Sequence, residues 1–116
     1  MITRAAEHRK TTLENARGGN GIIPLTHFLN PEDSAGTGRL FAVATIPPGA
    51  SIGKHAHEGE YEVYYVLKGT VEVLDNDQPA TMNAGDCMLC RDGDSHRIEN
   101  KSSETAEVLF LIVLSR

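Results

Sequence analysis

A chain of 116 residues, 40% of them hydrophobic, fits one domain with a single core and excludes wholesale disorder. Its 11 Lys and Arg against 16 Asp and Glu give a net charge of −5, and with no basic cluster this excludes a nucleic-acid-binding surface. The longest apolar run, 108–114, is too short to span a bilayer, and the polar start MITRAAEHRK lacks the apolar core of a secretion signal, so a soluble cytoplasmic protein is expected.

Residues 1–17 mix charge and polarity without a sustained period. They are expected to form a loosely held N-terminal arm, ordered against a partner subunit, in which TTLENA makes a strand or a short helical turn. Residues 18–116 are expected to form the folded domain. GGNG at 18–21 is a turn cluster, and 22–29 (IIPLTHFL) is β-like, with Pro24 restricting it to an edge or a bulge. His27 in that segment has no neighbour at ligand spacing and reads as a partly buried strand histidine; His8, in the arm, carries still less signal.

NPEDSAGTG at 30–38 is a loop by composition, and 39–46 (RLFAVATI) is a strand ended by Pro47-Pro48-Gly49. Residues 61–67 form a strand rich in Tyr and Val, with Glu60, Glu62, Tyr64 and Val66 on one face and Tyr61, Val63, Tyr65 and Leu67 on the other. Short strands follow at 70–74, 79–82, 86–90 and 96–100, separated by turns at 75–77, 83–85 and 91–95. The run 108–114 (VLFLIVL) reads as a buried strand. Many short strands with Gly, Pro and Asp turns, and no long helix, predict an all-β sandwich or barrel.

Cys87 and Cys90 share a CxxC spacing. On a strand, positions three apart point to opposite faces, so a disulfide between them is geometrically poor. No second pair exists to complete a structural zinc site, and both are expected as semi-buried small hydrophobes.

The chemistry concentrates in 49–69, GASIGKHAHEGEYEVYYVLKG. His55 and His57 share one face of an extended backbone, and Glu62 follows after a turn at Gly59. Imidazole nitrogens and a carboxylate converging on one spot make the donor set a divalent transition metal prefers. Glu60 lies on the same face as Glu62 and competes for the carboxylate role.

These residues resemble the cupin family. Gly49, five residues, His55-x-His57, four residues, Glu62, six residues and Gly69 match the first cupin motif. Gly85, five residues, Arg91-x-Gly93, two residues, His96, three residues and Asn100 match the second, with Arg91 where the family usually has proline. Fifteen residues separate the motifs, as in a minimal single-domain member. The resemblance implies a double-stranded β-helix, an RmlC-like jelly-roll barrel. It also implies a metal site of His55, His57, Glu62 and His96, holding Mn, Fe, Ni or Zn. It selects Glu62 over Glu60 as ligand and leaves Glu60 as a group behind the ligands or facing substrate. The homodimer common among small cupins is expected too, since it would cover exposed sheet edges.

Three functions follow from that resemblance. The first is a metalloenzyme acting on a small organic acid or sugar-like molecule, by dioxygenase- or decarboxylase-type chemistry, with Glu60 and Tyr64 as candidate catalytic groups and Cys90 as a lesser one. The others are a non-catalytic binding or sensing module and a sugar or sugar-nucleotide isomerase or epimerase. The stretches PPGASIGKHAHEGEYEVYYVLKG and GDSHRIEN resemble small oxalate-decarboxylase-like cupins. Those enzymes carry an arginine three residues before the first motif histidine, where this chain has Ile52, and an acidic lid well beyond the second motif, where this chain has twenty residues after His96. Oxalate binding is therefore implied more directly than decarboxylation.

Overall fold

The computed structural model describes residues 1–115; Arg116, the last residue of the expected domain, lies outside the described residues. Ten strands build it: β1 Lys10–Glu14, β2 Ile22–His27, β3 Gly38–Ile46, β4 Ser51–Ala56, β5 Glu60–Lys68, β6 Thr70–Asp75, β7 Gln78–Asn83, β8 Cys87–Cys90, β9 Ser95–Glu99 and β10 Ala106–Leu114. They form two antiparallel sheets, one of six strands in the order β1-β2-β3-β10-β5-β8 and one of four in the order β4-β9-β6-β7. This is the expected jelly roll, although the two sheets do not close into one continuous hydrogen-bonded barrel. Among the described residues no helix is long and apolar enough to cross a membrane.

The core lies between the sheets and follows the period-two pattern of the strands. Glu62, Tyr64 and Val66 of β5 point inward, as do Val108, Phe110 and Ile112 of β10, while Tyr65 and Leu67 stay exposed. β7, which contains Pro79, is an edge strand and tolerates a residue without an amide hydrogen. β2 is flanked on both sides, but its pairing to β3 begins only at Leu25, so Pro24 faces β1 alone. The Asp75–Asp77 turn has Asn76 and Asp77 at φ 48° and 69°, the left-handed pair that matches the twist of a two-residue hairpin.

Two local outcomes differ from the sequence expectations, and a third meets one without the residue the family usually places there. Lys10–Glu14, within the stretch expected to be a loose arm, is hydrogen-bonded along its length to β2, because alternating Thr11 and Leu13 give it a half-buried face. Of the two options for TTLENA, a strand or a short helical turn, residues 11–14 adopt the strand. Cys87 is exposed, not semi-buried: it lies on the outer face of edge strand β8, while Cys90 turns inward and is buried. Both are free thiols. Finally, the turn at Arg91 forms without proline: Asp94 N donates to the Arg91 carbonyl at 2.9 Å, and Asp94 Oδ2 accepts from Arg91 N at 3.2 Å.

The segment after β1 folds back over β4, and two glycines permit it. A Cβ on Gly53 would sit 2.0 Å from the Arg17 carbonyl oxygen, and one on Gly19 would sit 2.2 Å from that of Ser51. This contact makes residues 16–17 a wall of the cavity described below.

Candidate metal centre

Four side chains from three strands and a strand end meet between the sheets. β4 carries His55, with His57 just beyond its end; β5 carries Glu62; β9 carries His96, directly opposite His55 in the pairing. Strict alternation from buried Ile52 would turn Lys54 inward and His55 outward. The pairing of β4 with β9 instead shifts between Ile52 and His55, so the irregularity exposes Lys54 and brings Ile52 and His55 to the same cavity. His57 is fixed after the strand by backbone bonds to the 91–94 turn, donating to Asp94 O at 3.0 Å and accepting from Gly93 N at 2.7 Å.

The ring nitrogens are sorted by their outer partners. His55 Nδ1–H donates to the Gly53 carbonyl at 2.7 Å, which leaves Nε2 as a lone-pair donor. His57 Nδ1–H donates to Glu60 Oε2 at 2.5 Å, and Arg39 clamps that carboxylate with Nε at 2.7 Å and Nη2 at 2.9 Å. Glu60 thus sits behind His57, orienting its ring as carboxylates do behind metal-bound imidazoles. His96 Nδ1 is buried with no partner among the described residues, and its ring is held by Tyr64, stacked 4.5 Å away at 11°.

On the inner side, His57 Nε2 lies 3.0 Å from His96 Nε2 and 2.9 Å from Glu62 Oε1. His96 Nε2 lies 3.2 Å from His55 Nε2 and 3.1 Å from Glu62 Oε1. All four donor atoms fall within 4.8 Å of one another. Bonds of about 2.1 Å separate neighbouring ligands by about 3.0 Å around an octahedral ion and about 3.4 Å around a tetrahedral one. Donor atoms this close together would suit a single divalent ion held by His55, His57, Glu62 and His96. His57, His96 and Glu62 are buried and His55 is partly so.

The electrostatics agree with a cation site. Glu62 has its carboxyl held below the ordinary range by His57 and His96, against a burial cost that alone would raise it. His57 is held above the usual imidazole value, first by Glu62 and then by Glu60, while burial lowers His55. Tyr64, with its hydroxyl 3.3 Å from His96 Nε2, has its pKa pushed far up by burial and Glu62, so it stays a neutral hydrogen-bond donor. Cys90 is pushed up to about 11 by burial and neighbouring carboxylates, which keeps it an unreactive thiol.

The cluster opens onto a cavity of about 320 Å³. Leu13, Leu25, Ile52, Phe110 and Ile112 make its walls largely apolar, and Arg17, Arg39, Thr11 and His27 supply polar groups. His27, expected from sequence as a partly buried strand histidine, is buried, inward with Ile23 and Leu25, and the fold brings it to this cavity. The period of two along 22–27 marks its inward face; its cavity neighbours come from other strands and have no sequence signal. Asn100 of the second motif stands apart as a structural clamp, fully buried with both ends of its amide bonded.

Comparison with known proteins gives a consistent picture. The family model described as "Cupin domain" matches residues 42–112. An oxalate-binding protein from Thermotoga maritima is 40% identical over 98% of this chain and 94% of its own length. A crystal structure from the same organism, described as a predicted oxalate decarboxylase, superposes with a TM-score of 0.92 at 39% identity, covering 98% of this chain and 99% of the other. The structure of KdgF from Halomonas sp. shares the fold, with a TM-score of 0.75 at 17% identity over 100% and 94% of the two chains.

Proposed function

The chain belongs to the cupin family, and we propose that within it this protein binds a divalent transition metal through His55, His57, Glu62 and His96 to hold a small organic acid in the cavity beside them. The observation that carries this reading is the convergence of three imidazole nitrogens and a carboxylate, with two of the rings turned inward by outer hydrogen bonds. When bound, Mn, Fe, Ni or Zn supplies a Lewis acid with positions left for carboxylate or hydroxyl oxygens. The oxalate-binding relative supports an acid as ligand. So does the cavity, whose apolar walls suit a short acid better than a polyhydroxylated sugar.

Should the site turn over its ligand, the two candidate catalytic groups divide by position. Glu60 is occupied by Arg39 and His57 and acts as a positioning residue. Tyr64 holds a proton at its hydroxyl beside the donor atoms, where it orients a substrate oxygen or donates to a developing negative charge. A non-catalytic binding module is the second reading. It is favoured by Ile52, which places a buried apolar side chain where oxalate decarboxylases carry arginine.

Metal analysis of the purified protein, then thermal-shift titration with Mn²⁺, Fe²⁺, Ni²⁺ and Zn²⁺ and a panel of organic acids, tests the reading. Stoichiometric metal and acid-dependent stabilisation are expected. Turnover lost in folded His55→Ala and His96→Ala variants would establish the enzyme, and stabilisation without turnover the binding module. A protein that takes up none of these ions overturns the assignment.

The same reading includes a cytoplasmic location and a homodimer, and the outer face of the six-stranded sheet supports the homodimer. Phe41, Leu111, Val63 and Leu89 line up across four strands, with Val43, Leu109 and Tyr65 in the next row. Tyr65 and Leu89 are 39% and 40% exposed in the single chain, and so continuous an apolar face is a liability unless covered. Light scattering should give twice the 12.6 kDa chain mass. Leu111→Asp should shift it to the monomer mass; a monomeric wild type would count against the dimer.

A further inference from the structure

The wall of the cavity formed by β1 and β2 carries a hydrogen-bond relay that ends in an uncommitted donor. Arg9 Nη2 lies 3.3 Å from His27 Nδ1, and His27 Nε2 lies 2.7 Å from Thr11 Oγ1. A guanidinium only donates, so His27 Nδ1 accepts, and the neutral ring carries its proton on Nε2. His27 Nε2–H then donates to the Thr11 oxygen. Burial and the Arg9 charge both favour this neutral ring. With its oxygen accepting, Thr11 must place its own hydroxyl hydrogen elsewhere, and no acceptor for it lies within hydrogen-bond distance among the described residues. Thr11, His27 and Arg17 all line the cavity that His55, His57 and Glu62 also line.

We infer that Thr11, polarised by Arg9 through His27, is a specificity-determining donor for the far carboxylate of a dicarboxylic acid, with Arg17 supplying the charge. This rests on the metal reading of the preceding section. A divalent ion beside the Glu62 carboxylate leaves one net positive charge, since Arg39 and Glu60 cancel, and Arg17 in the cavity wall and Arg9 behind His27 add to it. That excess of positive charge favours a dianion over a monoanion. A cavity of about 320 Å³ is at the small end for ligand pockets yet roomier than a two-carbon acid needs, so a longer acid reaching from the cluster to the β1 wall fits it best.

The test compares succinate with butyrate, equal in length but differing in the second carboxylate, by calorimetry on the Mn²⁺-loaded protein. Succinate should bind at least tenfold tighter. Thr11→Val should remove about tenfold of succinate affinity, as expected for one hydrogen bond to a charged group, and leave butyrate and Mn²⁺ affinity unchanged. Thr11→Ser, which keeps the hydroxyl, should retain wild-type affinity. Equal loss for both acids, or none for either, overturns the role of Thr11, as does a wild type that fails to prefer succinate. Nitrogen-15 NMR of His27 in the metal-free protein separates this from the metal reading. The Nε2–H tautomer is expected; an Nδ1–H tautomer overturns the relay however the metal titration turns out, whereas failure to load Mn²⁺ with the Nε2–H tautomer present overturns the dicarboxylate site through its metal half.

Discussion

Replacing Glu62 by Gln is expected to weaken divalent-metal uptake by about 100-fold or more, an effect much larger than its cost in fold stability. Loss of a partner behind a metal ligand already costs about 10–100-fold, and Glu62 would be a ligand itself, the single anion facing three neutral imidazoles. Gln preserves the shape but turns a carboxylate between His57 and His96 into a neutral amide. The loss of stability is limited because the amide avoids the desolvation cost of a buried carboxylate and His57, without its anion, can shed its proton instead of staying charged and unpaired. Calorimetric titration with Mn²⁺ or Zn²⁺, alongside thermal unfolding of the metal-free proteins, separates the two quantities. Retained wild-type affinity would remove Glu62 from the ligand set.

The same variant has a pH signature. In the metal-free wild type His57 has a raised pKa, so its ion pair with Glu62 contributes stability that is full below the unfolded imidazole value and is lost as pH rises through the folded one. Glu62 works in the opposite sense: its lowered pKa contributes stability above the unfolded carboxyl value that is lost as pH falls through the folded one. Metal would have to displace the His57 proton, so the stabilisation it confers should grow as pH rises from the ordinary imidazole value through the raised one of folded His57. Glu62→Gln removes the main cause of the raised His57 value and should flatten that dependence.

Much of this architecture was legible because β structure writes itself in period two and punctuates itself with glycine. The inward set of β5 follows directly from alternation, β10 from its continuous apolar run, and the paired histidines from their spacing. His96 became visible only through the second motif, since nothing local links it to a partner 41 residues away. Sequence could not show contacts created by strand order. Arg39 and Glu60 meet because β3 and β5 flank the same end of β10, and that pairing is what places Glu60 behind His57. Thr11 and His27 reach the cavity because β1 and β2 extend the six-stranded sheet. The irregularity in β4 was hidden for a different reason: a register shift breaks the alternation on which the reading depends.

Asn100→Asp, a change of one atom, is expected to cost about 3–5 kcal/mol and lower Tm by about 10 °C or more. Asn100 Nδ2 donates to the carbonyls of Ile46 at 2.9 Å and Glu104 at 2.8 Å, and its Oδ1 accepts from Ser102 N at 2.9 Å and Ser102 Oγ at 2.7 Å. An aspartate would aim an oxygen at two carbonyl oxygens inside a fully buried site. It would have to stay protonated, with a folded pKa above its unfolded one. The destabilisation should therefore be smallest below the unfolded carboxyl value and deepen from about pH 4 to about pH 7, opposite to the behaviour of a paired carboxylate. Thermal unfolding across that range measures it, and a pH-independent deficit would show that the lost donors, not the buried charge, dominate. The backbone of Asn100 also pairs with Gly49 and Ala50 at 2.7 and 2.9 Å, immediately before β4, so the clamp helps keep His55 opposite His96. Because Asn100 holds the frame and not the ion, metal affinity measured below the variant's Tm should stay within a few-fold of wild type. A loss as large as that of Glu62→Gln would mean that the register of β4 against β9 is set here.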